Sequence, residues 1–162
     1  MESLYLLLGG NLGNKKLVFD ESCNLLENKL GKIVSKSSIY ETEPWGFETD
    51  DVFWNQVIVI KCNLDPFKIL NFTQNCEIEL GRIRNSKQYS SRIIDIDILF
   101  YGQQIISSEK LNIPHPLIPK RKFTLVPLCE LNPELIHPVS GKTMSKLLDE
   151  CADKLHVIKI TL

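Results

Sequence analysis

The sequence predicts an α+β fold: a ferredoxin-like split β-α-β-β-α-β antiparallel sheet with helices on one face, followed by C-terminal helices and a final strand. Three observations predict it. Strand-like and helix-like runs follow one another as strand, helix, strand, strand, helix, strand up to Gly102. The helical runs carry their own start and stop residues, and the last third changes to proline-punctuated segments before further helices.

The elements are justified in chain order. "SLYLLLG" is a short apolar run closed by Gly9 and Gly10, a buried strand. "NKKLVFDESCNLLENKLG" places Phe19, Cys23, Leu26 and Leu30 at helical spacing and ends on Gly31. "KIVSKSSIYETEP" alternates like a half-exposed strand, and "VFWNQVIVIKCN" is a more buried one. "DPFKILNFTQNCEIELG" has Asp65 as N-cap, Pro66 at the first helical position and Gly81 as terminator. "RIIDIDILFYG" is the fourth strand. After "NIPHPLIPKRKF" a helix near residues 120 to 130 is expected, which Pro127 must delay or kink. Thr143 caps a helix carrying Met144, Leu147, Leu148 and Cys151 on one stripe, before a strand in "HVIKITL".

A chain of 162 residues is enough for one domain with a real core, so residues 1–162 are read as one domain. With 19 basic and 20 acidic residues, nothing in the charge balance points to a nucleic-acid or membrane partner. The five cysteines are widely spaced and show neither C-x-x-C nor a Cys/His cluster, which suits buried thiols in a reducing compartment. No apolar run is long enough to span a bilayer, and a cytoplasmic location is expected. Two nucleotide motifs fail. Leu8 stands where the first glycine of G-x-G-x-x-G belongs, and Ile136 stands where a P-loop ending in "GKT" needs its first glycine.

The fourth strand raises a question, because an isoleucine-rich run contains Asp95 and Asp97. Side chains alternate along a strand, so Ile94, Ile96 and Ile98 share one face and the two carboxylates the other. Carboxylates about 6 to 7 Å apart along a strand suit hard cations such as Mg²⁺, which take one or two of them plus water and phosphate oxygens. Without a cation the pair repels and one pKa rises. Solvent exposure of that face is the competing explanation. Arg82, Arg84 and Arg92, with Lys87, precede the pair in a polar stretch that reads as a mobile loop, and arginines beside acidic metal ligands are what a polyphosphate requires.

Other residues add a second ligand chemistry. Phe53 and Asn55 share a strand face, a flat apolar surface beside an amide that donates and accepts, which suits a heterocycle with ring nitrogens and a carbonyl. His115 lies between two prolines on a stiff segment, with Arg121 and Phe123 shortly after. Gln74 and Glu77 are i, i+3 neighbours near the end of their helix.

In order along the chain, "LLLGGNLGN", "SSIYETEPWG", "FWNQV", "GRIR", "RIIDIDIL", "IPHP" and "RKFTLVPL" resemble the 6-hydroxymethyl-7,8-dihydropterin pyrophosphokinases of folate biosynthesis. The resemblance implies that the pterin hydroxymethyl oxygen attacks the β-phosphorus of ATP and AMP leaves. It implies two Mg²⁺ ions on Asp95 and Asp97, and charge stabilisation by Arg82 and Arg92. It implies a pterin held between Phe53 and Phe123, its edge read by Asn55 and by the chain around Thr42 and Trp45. Gln74, Glu77, Arg84, Ile98, His115 and Arg121 would bind ATP, and a monomer is expected. The chain departs from the family pattern at Gly10, where serine is usual, at Glu43, where proline is common, and at Tyr89, Ser90 and Ser91, where many members have Trp-Gly-Pro. Two other functions fit the fold class: a non-catalytic small-molecule-sensing module, and a nuclease or glycosyl transferase using the aspartate pair. A sensor has no need of paired aspartates beside arginines.

Overall fold

Leu4, Leu6 and Leu8 of β1 (Glu2–Gly10) point to one side and Tyr5 and Leu7 to the other, and both sides are buried. A strand buried on both faces belongs in the interior of a sheet. Accordingly β1 lies between two antiparallel neighbours, β4 (Phe53–Cys62) and β5 (Asp95–Tyr101). Residues 1–43, 51–82 and 91–162 are described by the computed structural model. Beyond β4 lie β2 (Ile33–Lys36) and β3 (Tyr40–Thr42), and β8 (Val157–Lys159) forms the outer edge beside β3.

The run expected as one half-exposed strand is therefore two, lying end to end along β4. Ser37 interrupts the ladder: its hydroxyl, in place of a main-chain carbonyl, accepts the Val57 N–H at 2.9 Å. The fourth strand starts at Asp95, so "RII" precedes it.

Two helices cover the face of Leu4, Leu6 and Leu8. The first, α1 (Lys15–Leu30), is capped by the Asn14 side chain, which accepts the Leu17 N–H. The second, α2 (Pro66–Glu79), is capped by Asp65, which accepts the N–H groups of Phe67 and Lys68. Phe19, Cys23, Leu26 and Leu30 from α1 and Ile69 and Cys76 from α2 pack against Ile58, Ile60, Ile94, Ile96 and Ile98. Each such aliphatic side chain removed from water contributes about 1.5 to 3 kcal/mol.

Gly31 ends α1 at φ 135°, and a Cβ there would stand 2.5 Å from the Lys61 carbonyl oxygen. Gly31→Ala is expected to destabilise the protein by more than about 1 kcal/mol. A urea melt with an unchanged midpoint would contradict that.

The opposite face carries α3 (Lys122–Leu131) and α4 (Met144–Glu150), whose Leu125, Leu128, Met144 and Leu147 pack on Tyr5, Leu7, Val57, Val59 and Leu99. The helices of the split unit share one face as expected, while the C-terminal pair forms a second layer. The sheet demands this, because β1 and β4 are apolar on both sides. Pro127 does not delay α3, which begins at Lys122 and runs through it. The Arg121 carbonyl accepts the N–H groups of Thr124 and Leu125 and so starts the helix upstream. Thr143 caps α4 through the Lys146 N–H.

Register between β1 and β5 shifts at one point: Tyr5 faces Phe100 and Leu6 faces Ile98, leaving Leu99 as the extra residue of a bulge. Its carbonyl accepts the His115 N–H at 3.0 Å, which fixes the segment between the small hairpin β6 (Ile106–Ser107) and β7 (Asn112–Ile113) and the 3-10 turn Ile118–Lys120 against the sheet. All five cysteines are free; Cys23, Cys62 and Cys76 are buried, and burial raises the thiol pKa of Cys23 and Cys76. Among the described residues no helix is long and apolar enough to cross a membrane.

Candidate active site

Cross-strand register puts Asp95, Gly9, Asn55 and Tyr40 in one row of the sheet, and Asp97 beside Leu7 in the next. Directly opposed residues share a face. Leu7 packs with α3 and α4, so this row looks toward the same layer. Gly9 contributes no side chain, so the floor between the Asp95 carboxylate and the Asn55 amide is backbone across two strand spacings, roughly 10 Å. A cavity of about 320 Å³ opens there.

Of the residues singled out from sequence, Asp95, Asp97 and Arg92 line one part of this cavity, with His115 and Arg121. Thr42, Phe53, Asn55 and Phe123 line it as well. Nine residues from distant parts of the chain thus meet as the floor and walls of one space. Asn55 is buried, and its Nδ2 donates to Thr42 Oγ1 at 3.2 Å, which leaves Oδ1 above Gly9. The Arg92 guanidinium lies over the Phe53 ring at 5.2 Å, and that of Arg121 over the Phe123 ring at 5.5 Å.

Other expectations fall differently. Ile98 is buried in the core on the α1 and α2 side, so its side chain cannot touch a ligand in the cavity; only its main chain remains available. Strand parity is the reason, since Ile98 and Asp97 point oppositely. Glu77, expected to bind ATP, is 3% exposed and does not line the cavity. Its Oε2 accepts from Arg82 Nη1 at 2.6 Å and from the Ile96 N–H at 3.0 Å, tying α2 to β5. Gln74 is half-buried on α2 and does not line the cavity. Trp45, Arg84, Lys87, Tyr89 and Ser90, with the loop reading of their segment, lie outside the described residues.

Charge in the site is organised around Asp95. Arg82 Nη1 bridges Glu77 and Asp95 Oδ1, at 2.6 Å from each, and Arg92 Nη1 donates to Asp95 Oδ2 at 2.8 Å. Burial opposes ionisation of Asp95, but these two guanidiniums hold its carboxyl below the usual range. Arg121 is 4.0 Å from Asp97 Oδ2. Burial, then the neighbouring Asp95 charge, push its pKa up to about 8. Glu77 is pushed up to about 7 by burial and by Asp95. The expected splitting of the pair therefore has a cause the sequence did not show. Arginines neutralise one member, and the other carries the excess.

This donor set suits a hard divalent cation. Two carboxylates share one wall, and the raised Asp97 pKa marks negative charge short of compensation. Among the described residues no group of three or more His, Cys, Asp or Glu forms a cage. A cation here would draw its remaining ligands from water and substrate, as Mg²⁺ commonly does.

His115 Nδ1 accepts the Leu117 N–H at 3.1 Å. Burial, then Arg121, lower its pKa to about 4. The imidazole is neutral in the folded protein at neutral pH, while the unfolded chain protonates near pH 6.5. Stability from this group is full above pH 6.5 and is lost as pH falls toward 4. His115→Asn is expected to shrink the loss of stability between pH 7 and pH 5 by roughly 1 to 2 kcal/mol, read from urea midpoints at the two pH values. An identical pH dependence in both proteins would refute it.

Sequence reasoning missed Leu7, Gly9, Glu43, Pro116 and Leu117, which also line the cavity. Gly9 was legible only as a strand end. Nothing in its neighbours signals that it would face Asn55.

Residues 5–133 match the sequence profile of the 7,8-dihydro-6-hydroxymethylpterin-pyrophosphokinases. The chain is similar to the 2-amino-4-hydroxy-6-hydroxymethyldihydropteridine pyrophosphokinase of Porphyromonas gingivalis, with 40% identity over 141 residues, covering 85% of this chain and 95% of that one. The Aquifex aeolicus protein of the same name is 37% identical over 150 residues, covering 93% of this chain and 92% of its own. Folic acid synthesis protein fol1 of Pneumocystis carinii is 37% identical over 158 residues, or 98% of this chain, which spans only 21% of that longer protein. Among solved structures, Plasmodium falciparum HPPK-DHPS with SDX-DHP superposes with a TM-score of 0.73 at 22% identity, over 93% of this chain and 43% of that one. That likeness speaks for the fold.

Proposed function

Because the chain belongs to the 7,8-dihydro-6-hydroxymethylpterin-pyrophosphokinase family, we propose that it transfers pyrophosphate from ATP to the hydroxymethyl group of 6-hydroxymethyl-7,8-dihydropterin, releasing AMP, in folate synthesis. The observation that carries this is the convergence of an acidic pair, two arginines and two aromatic rings on one cavity. A phosphate-handling half and a ring-stacking half share the same floor.

Phe53 and Phe123 hold the pterin, each stacking contact contributing about 0.5 to 1.5 kcal/mol beyond burial. Asn55 reads its edge; Thr42 fixes the amide so that Oδ1 is the free acceptor. His115 and Arg121 lie against the nucleotide and its phosphates, with Gln74, Arg84 and the Ile98 main chain as further contacts. Asp95 and Asp97 would hold Mg²⁺, two ions with ATP bound. Such cations supply Lewis-acid withdrawal of charge from phosphate oxygens.

The hydroxymethyl oxygen forms a bond to the β-phosphorus while the bond from that phosphorus to the α-bridging oxygen breaks. The hydroxyl proton is released, and AMP departs with the α-phosphate. Arg82 and Arg92 pair with Asp95 beside the cavity and would turn to phosphate oxygens as the nucleotide binds. Their guanidinium forks then meet charge that grows as the group moves.

The test is to incubate the protein with Mg²⁺, ATP and 6-hydroxymethyl-7,8-dihydropterin and measure AMP. AMP that appears only with pterin and divalent cation supports the reading. Nucleotide binding without Mg²⁺ and without AMP would replace it with the sensing module.

A further inference from the structure

Asn11 lies just past the cavity floor at the end of β1 and is 3% exposed. Its side chain spends its capacity on three groups from distant parts of the chain. Oδ1 accepts the Arg92 N–H at 2.8 Å, while Nδ2 donates to the Asp51 carbonyl at 3.2 Å and to Ser91 Oγ at 3.1 Å. The main chain joins in: the N–H groups of Asn11 and Leu12 both donate to the Arg92 carbonyl, at 3.0 and 3.2 Å. Arg92 is therefore gripped at its N–H and its C=O by the same residue.

Gly10 makes that grip tight. A Cβ on Gly10 would stand 2.2 Å from the Ile93 carbonyl oxygen, so this close approach of β1 to residues 92 and 93 admits only glycine. The serine usual in the family would force the two segments apart. Lys15, four residues beyond Asn11, adds a contact from its Nζ to the Val52 carbonyl at 3.4 Å.

What these contacts hold is functional. The Arg92 side chain reaches Asp95 Oδ2 and lies over Phe53, and Asp51 stands two residues before Phe53. We infer that Asn11 is a positioning residue that fixes the Arg92 guanidinium relative to the Phe53 ring, and so couples the phosphate-handling half of the site to the ring-stacking half. The assignment rests on the reading above. Asparagine suits this task because one short planar amide both accepts and donates twice; aspartate keeps the acceptor and loses the donors, and alanine loses all three contacts.

Asn11→Ala, Asn11→Asp, Arg92→Ala and the Asn11→Ala/Arg92→Ala double variant decide it. Asn11→Ala is expected to lower kcat about tenfold or more, with almost no further loss when Arg92 is already alanine, because its effect passes through that guanidinium. Asn11→Asp is expected to keep kcat within about threefold while raising the pterin KM about fivefold, since the Arg92 N–H keeps its acceptor while the Asp51 carbonyl and Ser91 Oγ lose their donor. Amide hydrogen exchange should speed up in both 51–53 and 91–93 in Asn11→Ala and leave the core of β1 and β4 unchanged. Additive losses in the double variant, or uniform acceleration of exchange across the sheet, would reduce Asn11 to an ordinary turn residue. If the unmodified protein makes no AMP, the enzyme reading is what fails, and the exchange experiment still tests the coupling.

Discussion

Asp97→Asn is expected to give a protein that is more stable than the parent in the absence of divalent cations and yet forms no AMP. Both effects have one cause. Asp97 is enclosed beside Asp95 with one arginine 4.0 Å away, and its pKa of about 8 is far above that of an unfolded aspartate. Between about pH 4 and pH 8 the folded state binds a proton that the unfolded state does not, so stability falls as pH rises through that window. An amide of the same shape carries no such penalty, and the gain at pH 7 is up to about 4 kcal/mol.

Turnover should vanish because the amide cannot supply the charge that a cation and its phosphate need. Urea midpoints with EDTA, together with an AMP assay, test both halves. An active Asp97→Asn protein would remove Asp97 from the metal assignment. A less stable one would mean that the carboxylate is structurally compensated.

Arg82→Ala is expected to lower kcat by about 10² to 10³ while changing the KM for ATP far less, the pattern of a contact made as charge develops. Arg82 also neutralises buried Glu77, at 2.6 Å. Its loss should therefore cost stability as well, by about 1 to 3 kcal/mol at pH 8, and less at pH 6, where Glu77 can take up a proton. Steady-state kinetics and melts at the two pH values separate these effects. A pure KM change would place Arg82 in ground-state nucleotide binding instead.

The aspartate pair, read from "IIDIDIL", lies where alternation along the strand placed it, on the face away from Ile94, Ile96 and Ile98. The same parity shows why Ile98 was a poor candidate as a side-chain contact. Glu77 was less legible. At i+3 from Gln74 it looks like any helix-surface acid, and its burial follows from α2 lying against β5, where the Ile96 N–H and Arg82 meet it. The split of β2 from β3 hinges on a single hydroxyl, that of Ser37, whose use as a ladder acceptor leaves no trace in a hydrophobic pattern.

Local chemistry determined the elements from sequence: period, caps and glycine stops act within a few residues, so Asp65, Thr143 and Gly31 are readable where they stand. Tertiary structure alone decided which carboxylate the arginines neutralise, which face the last two helices cover, and that Asn11 would join segments 40 and 81 positions away. Those outcomes depend on register and on the meeting of distant strands. Such energies arise only when the pieces share one space.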